Sequence, residues 1–136
     1  MTTSAKGTFE VRLSPQVDGE EAGASLGRLL IDKRFGGDLE ATSRGQMLAF
    51  RSGVEGSAGY VALEHVEGTL GGRAGGFVLQ HSGTMERGAQ SLALNVVPDS
   101  ATGDLEGLAG RMEIVVAEGR HSYNFDYTLD ANPDAR

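Results

Sequence analysis

Apolar and polar positions alternate with a period of two along most of the chain, and glycines cut the alternation into short runs. That period belongs to strands with one face buried. Thr8 to Leu13 sets Phe9, Val11 and Leu13 on one face. Further segments run over Leu26 to Phe35, Asp38 to Arg51, Gly59 to Leu70, Gly76 to Met85, Ser91 to Val97, Arg111 to Ala117 and Arg120 to Leu129. The spacing in Leu26 to Phe35 fits a strand or a helix. It is read as a strand because Gly27 precedes it and Gly36-Gly37 ends it. The third segment carries Gly45 as a point for a bend. Gly71-Gly72 and Glu118-Gly119 have the composition of tight hairpin turns. Pro98 stops the sixth segment, and Asp99 to Gly110 is a connection with a short helical turn expected over Asp104 to Leu108.

Eight such strands with mostly short connections predict an all-β fold: one closed, meandering antiparallel barrel of about eight strands with at most short helical turns. Closure removes the exposed sheet edges that the chain would otherwise carry. The barrel domain is expected over 8–129, between a flexible N-terminus at 1–7 and a frayed tail at 130–136. The polar stretch Ser14 to Ser25, with Pro15 and Asp18-Gly19, reads as a loop and is the candidate lid. One spacing occurs twice: Gly68-x-Leu70-x-Gly72-x-x-Gly75 and Gly103-x-Leu105-x-Gly107-x-x-Gly110. Neither copy is a strand-to-helix turn, so a phosphate cradle is the weaker reading. Glycines that supply turns and close backbone approach at barrel corners are the stronger one.

Composition narrows the function classes. A chain of 136 residues suits one domain with its own core. With no cysteine, disulfides, thiol chemistry and sulfur-ligated zinc are excluded. The formal charge of −7 comes with twelve scattered basic residues, which disfavours nucleic acid and anionic membrane as partners. Met1 to Lys6 holds no apolar stretch and no run reaches the length of a membrane helix, so the expected residence is the cytoplasm. No Gly-x-Ser-x-Gly elbow is present, which argues against covalent hydrolase chemistry.

Several stretches carry a resemblance. They are Gly59-Tyr60-Val61-Ala62-Leu63-Glu64, Glu67-Gly68-Thr69-Leu70, and Gly76-Phe77-Val78-Leu79-Gln80-His81-Ser82-Gly83-Thr84. Gly103-Asp104-Leu105-Glu106-Gly107-Leu108 and His121-Ser122-Tyr123-Asn124-Phe125-Asp126-Tyr127-Thr128-Leu129 belong with them. Together they resemble a bacterial domain-of-unknown-function family over about Thr8 to Leu129. That family is similar in fold to allene oxide cyclase, a small plant barrel that closes a fatty-acid epoxide into a ring. The broader group also holds dirigent proteins and bacterial polyketide cyclases. The resemblance implies an eight-stranded calycin-like barrel and oligomers. It transfers no catalytic residue.

The candidate chemistry lies on three strands. On the eighth, His121, Tyr123, Phe125, Tyr127 and Leu129 share the face expected to point inward. On the fourth, Tyr60, Ala62, Glu64, Val66, Gly68 and Leu70 share a face small enough for a narrow lumen. Glu64 would be a buried carboxylate there; burial without a partner raises its pKa and favours the neutral acid. On the fifth, His81 shares a face with Phe77 and Leu79, and with Glu64 would make an acid/base couple. A one-residue bulge would instead turn Gln80 inward. Structural readings stand beside these: aromatic rings that only fill the core, a Glu paired with an Arg or Tyr, and a satisfied histidine at the rim. Neither His65 with Glu67 nor His81 with His121 has a recognised ligand spacing, so no metal and no cofactor is expected.

The candidate catalytic residues are therefore Glu64 and His81, and the candidate ligand-binding residues are Tyr60, Phe77, Gln80, Tyr123, Phe125 and Tyr127. The leading functional expectation is a barrel that binds a small apolar or amphipathic ligand in its lumen and forms a homo-oligomer. A cyclase or isomerase acting on a reactive lipid- or polyketide-like substrate is the alternative. A packed structural barrel acting through oligomerisation is the third.

Overall fold

The computed structural model describes residues 2–16 and 26–129. The chain-order strands are β1 (Thr3–Gln16), β2 (Leu26–Gly37), β3 (Leu39–Arg51), β4 (Ala58–Leu70), β5 (Arg73–Glu86), β6 (Ala89–Val96), β7 (Thr102–Gly103), β8 (Leu108–Ala117) and β9 (Arg120–Leu129). Each strand of the ring pairs antiparallel with its neighbours in the order β4-β3-β2-β1-β9-β8-β6-β5, and β5 closes the ring on β4. The short β7 pairs with β5 outside that ring. The predicted eight-stranded closed barrel is therefore the fold, and no helix occurs among the described residues.

Turn chemistry fixes the tightest hairpins. Gly71 and Gly72 have φ of 57° and 85°, and they join Leu70 to its ladder partner Arg73. Arg87-Gly88 and Glu118-Gly119 repeat this double positive φ. Two left-handed residues give the type I′ twist that matches flanking strands.

Three expectations about boundaries need correction. Residues 3–7 are strand, not a loose N-terminus. Thr3 to Phe9 pairs with β9 and closes the ring, and Ala5 is buried in the core. Ser14–Gln16 continue β1 rather than opening a loop; the remainder of the candidate lid, 17–25, lies outside the described residues, as does the tail 130–136. The expected helical turn at Asp104 to Leu108 is a set of tight turns. Leu105 N–H donates to Thr102 O, Glu106 N–H to Gly103 O, and Leu108 N–H to Leu105 O.

The two halves of the barrel differ. One half is packed: Phe35, Leu39, Val66, Leu70, Phe77, Leu79, Leu94, Leu105, Leu108 and Phe125 form one buried cluster. Phe77 stacks on Phe125 with centroids 5.8 Å apart. Fully burying each such ring contributes about 2–3 kcal/mol. The repeated glycine spacing belongs here. Its leucines, Leu70 and Leu105, plug this end, and Gly75 pairs with Gly103 across the two copies.

Gly45 and Gly68 have a different task. A Cβ on Gly45 would lie 2.1 Å from Leu63 O and 2.6 Å from Glu64 Cα; one on Gly68 would lie 2.1 Å from Glu40 O. Pairing on both sides of Gly45 runs through it without a break, so it admits the neighbouring strand rather than marking an interruption. Gly45→Ala is expected to destabilise by about 1–3 kcal/mol in urea unfolding, since backbone must shift to relieve the overlap. Gly53→Ala, where a Cβ meets nothing within 4 Å, is expected to leave stability unchanged or slightly raised.

Candidate functional site

Four adjacent strands place one polar cluster across the middle of the lumen. Alternation turns Lys33 of β2, Ser43 of β3, Glu64 of β4 and His81 of β5 inward, and all four are buried. Lys33 Nζ donates to Glu64 Oε2 at 2.8 Å, and Ser43 Oγ donates to Oε1 at 2.7 Å. His81 Nε2 makes a short hydrogen bond to Glu64 Oε2. The other ring nitrogen, Nδ1, lies 3.1 Å from the Tyr60 hydroxyl. The Lys33 head also sits over two rings, 5.0 Å from the Phe9 centroid and 5.6 Å from that of Phe35. A ring face attracts a cation, which eases the burial of this one.

Partners reverse the expected charge of Glu64. Burial pushes its carboxyl upward, but the His81 hydrogen bond and the Lys33 charge outweigh that and hold it down at about 2. It is an ionised carboxylate and not the neutral acid expected from burial alone. The Tyr60 phenol moves the other way, up to about 12, because burial and the neighbouring Glu64 charge both disfavour a phenolate. Tyr60 therefore keeps its proton at neutral pH.

Above this cluster the lumen opens. A cavity of about 950 Å³ is walled by Met47, Ala49, Tyr60, Met85, Leu92 and Ile114, with Phe50, Arg51, Gln90 and Val116 toward the rim. Tyr60 is the one member of the polar cluster on that wall. A broader trough of about 1090 Å³ crosses the outer faces of β1 to β4 between Glu10, Arg12, Asp32, Arg34, Arg44 and Glu67. Its charged lining is exposed and mixed in sign, which does not suit one apolar ligand.

The structure brings together Glu64, His81 and Tyr60, one of the two arrangements left open for β5. The other candidates lie elsewhere. Phe77 and Phe125 are fully buried in the packed half, and Tyr127 packs on Phe125 at 5.3 Å. Tyr123 is a structural clasp: its hydroxyl donates to Gly36 O and accepts from Leu39 N–H, both at 2.9 Å. Gln80 is exposed on the outer face, because the β4–β5 ladder runs from Ala58 to Leu70 without a bulge. Sequence reasoning missed Lys33 and Ser43. Their signal was the alternation Ile31, Lys33, Phe35 and Leu39, Ala41, Ser43, in which the flanking positions are all buried. Among the described residues, no group of three His, Asp or Glu side chains is gathered to hold a metal.

Fold and site together define a small closed antiparallel barrel that, among the described residues, is packed at one end and open at the other, with a buried Lys–Glu–His cluster reaching a half-buried Tyr60 at the floor of the opening. The chain belongs to the DUF3224 family of proteins of unknown function, whose family model matches residues 5–127. A crystal structure at 1.84 Å of a DUF3224 protein of unknown function from Shewanella oneidensis MR-1 is similar to it. The two share 45% identity and a TM-score of 0.89, over 96% of this chain and 99% of that one. No curated protein matches the chain. The likeness to allene oxide cyclase is not among these findings.

The ionised Glu64 sets a pH dependence. Its folded pKa lies below the ordinary carboxylate value of 4.5, so the stabilisation is complete above about pH 4.5 and is lost as pH falls toward 2. Urea unfolding of the wild type should show this loss between about pH 4.5 and pH 2. Glu64→Gln at pH 7 should cost about 3–5 kcal/mol by leaving Lys33 buried without its carboxylate, and should flatten the acid limb. The paired Lys33→Met/Glu64→Met variant should recover most of that cost, a result that separates the charge effect from general intolerance of the site.

Proposed function

We propose that this protein binds a small apolar or amphipathic molecule in the open half of its lumen. The observation that carries this reading is the cavity of about 950 Å³, with methionine, leucine and isoleucine walls and a phenol at the floor. Small-molecule sites have this size and this make-up of apolar walls with few polar anchors. Met47 and Met85 add unbranched side chains that adapt to ligand shape.

Acid–base catalysis on a bound ligand is the second reading, favoured by the chain Tyr60–His81–Glu64. A cyclase or isomerase acting on a reactive lipid- or polyketide-like substrate would use the lumen to fold that substrate, with Tyr60 the group that reaches it. His81 and Glu64 would act through Tyr60 as positioning residues. Association between copies of the chain is supported by Leu48, Val61 and Leu63, which lie exposed on the adjacent outer faces of β3 and β4.

Nile red titrated into the purified protein tests the lumen reading. It is expected to bind one per chain and to lose at least about tenfold in affinity in Ala49→Trp, whose side chain fills the opening. Leu63→Ser, on the outer face, is expected to leave binding unchanged. Full binding by a folded Ala49→Trp variant would move the site off the lumen.

A further inference from the structure

Proton bookkeeping along the buried chain sets the polarity of the cavity floor. The ionised Glu64 has no proton to give, and its Oε2 already accepts from Lys33. The His81 bond to that same oxygen therefore requires the proton on Nε2. In a neutral imidazole the remaining nitrogen, Nδ1, is then an acceptor. It faces the Tyr60 hydroxyl at 3.1 Å, and the Tyr60 proton is the one that can fill that bond. Lys33 already balances the Glu64 charge, so the site needs no charge on the ring to be complete. Tyr60 is therefore held as a donor toward the protein, and what its oxygen keeps for a ligand is lone pairs.

We infer that the lumen selects ligands whose buried polar group is a neutral hydrogen-bond donor, such as an alcohol, a phenol or an N–H, over ones with acceptor-only heads. This rests on the lumen-binding reading above. A ketone, an ether or a carboxylate would bring an oxygen lone pair against the lone pairs of Tyr60, with the Glu64 charge behind His81 adding to the repulsion of an anion. Leaving such groups unpaired in an apolar cavity is costly, and selectivity follows from that cost. Arg51, Thr84, Gln90 and Ser91 also line the cavity, so the phenol decides for the head group that reaches the floor, where Tyr60 is the member of the polar cluster on the wall.

The test compares 2-naphthol, 2-methoxynaphthalene and 2-acetylnaphthalene, which share a ring system and differ in the head group, by calorimetric titration at pH 7. Wild type is expected to bind 2-naphthol about five- to tenfold more tightly than either acceptor-only compound. Tyr60→Phe is expected to bring the naphthol down toward the other two with little change in theirs. Nitrogen-15 spectra of the histidine-labelled wild type give a ligand-free reading: His81 should carry its proton on Nε2 and none on Nδ1. Equal binding of all three compounds, a preference for the ketone, or a proton on Nδ1 at pH 7 overturns the inference and leaves lumen binding standing. Binding of none of the three overturns the lumen reading, and the inference falls with it.

Discussion

A carboxylate enclosed in an eight-stranded barrel has to find donors for both of its oxygens, and much of this molecule is arranged around that demand. The donors to Glu64 come from three other strands, Lys33 on β2, Ser43 on β3 and His81 on β5. Lys33 and Ser43 are ladder partners, but Glu64 faces Gly45 and Leu79, and His81 faces Ala62. The cluster thus runs diagonally across the sheet, offset by two residues at each of two ladders. A slip of one residue at any of these ladders would send a whole strand's inward set outward. It would also strand a buried charge, which costs several kcal/mol. The cluster consequently specifies register for half of the ring, where hydrophobic alternation by itself tolerates slips of two. Gly45 completes the device, since the close approach of β3 to Glu64 leaves no space for a Cβ there.

How far the sequence could be read follows from the same physics. The closed barrel, the turns at Gly71-Gly72 and Glu118-Gly119, and the inward face of β4 all rest on local pattern, and local pattern is what a sequence displays. Alternation on β4 and β5 sets Glu64 and His81 each on a face with apolar neighbours, but it left Gln80 open as the inward residue of β5, and the unbroken β4–β5 ladder decides between them. Lys33 was not legible. It sits between Asp32 and Arg34 in a segment whose spacing fitted either strand or helix, and three charged residues in a row look solvated. The expected charge of Glu64 was inverted by the His81 hydrogen bond together with the Lys33 charge, because the sign of a buried group's shift depends on what else is buried with it. The N-terminal strand was missed for a related reason: Ala5 and Gly7 are the inward residues of its first half, and neither announces a buried face.

The aromatic residues show where pattern identifies a face but not a role. Tyr123, Phe125 and Tyr127 point inward as expected, yet they lie toward the packed end, where Leu70 and Leu105 fill the barrel. Position along the barrel axis separates a wall residue from a core residue, and period-two alternation carries no information about that axis. The open half is distinguished by what it lacks. The ladder partners of Tyr60 there are Ala49 and Gly83, and a Cβ on Gly83 would already collide with the Tyr60 ring at 2.6 Å. Small residues around one tyrosine leave volume beside it and keep its ring in place.

The division of the lumen at the Glu64 layer also restricts where function can reside. Lys33, Ser43, Glu64 and His81 are each enclosed, and a molecule in the cavity can reach them only through Tyr60. An ion pair of this kind is weak evidence for stability in itself, because well-packed apolar residues often do as well or better. What sets it apart from an apolar layer is its effect on the phenol. The His81 hydrogen bond and the Lys33 charge keep Glu64 ionised, and on the inference above Glu64 fixes which nitrogen of His81 carries the proton and so the direction of the Tyr60 hydroxyl. An apolar replacement of the whole layer would leave the barrel able to close while the phenol lost its orientation. Stability and polarity at the floor are thus separable properties of one cluster, and only the second requires Lys33, Glu64 and His81 to be the residues they are.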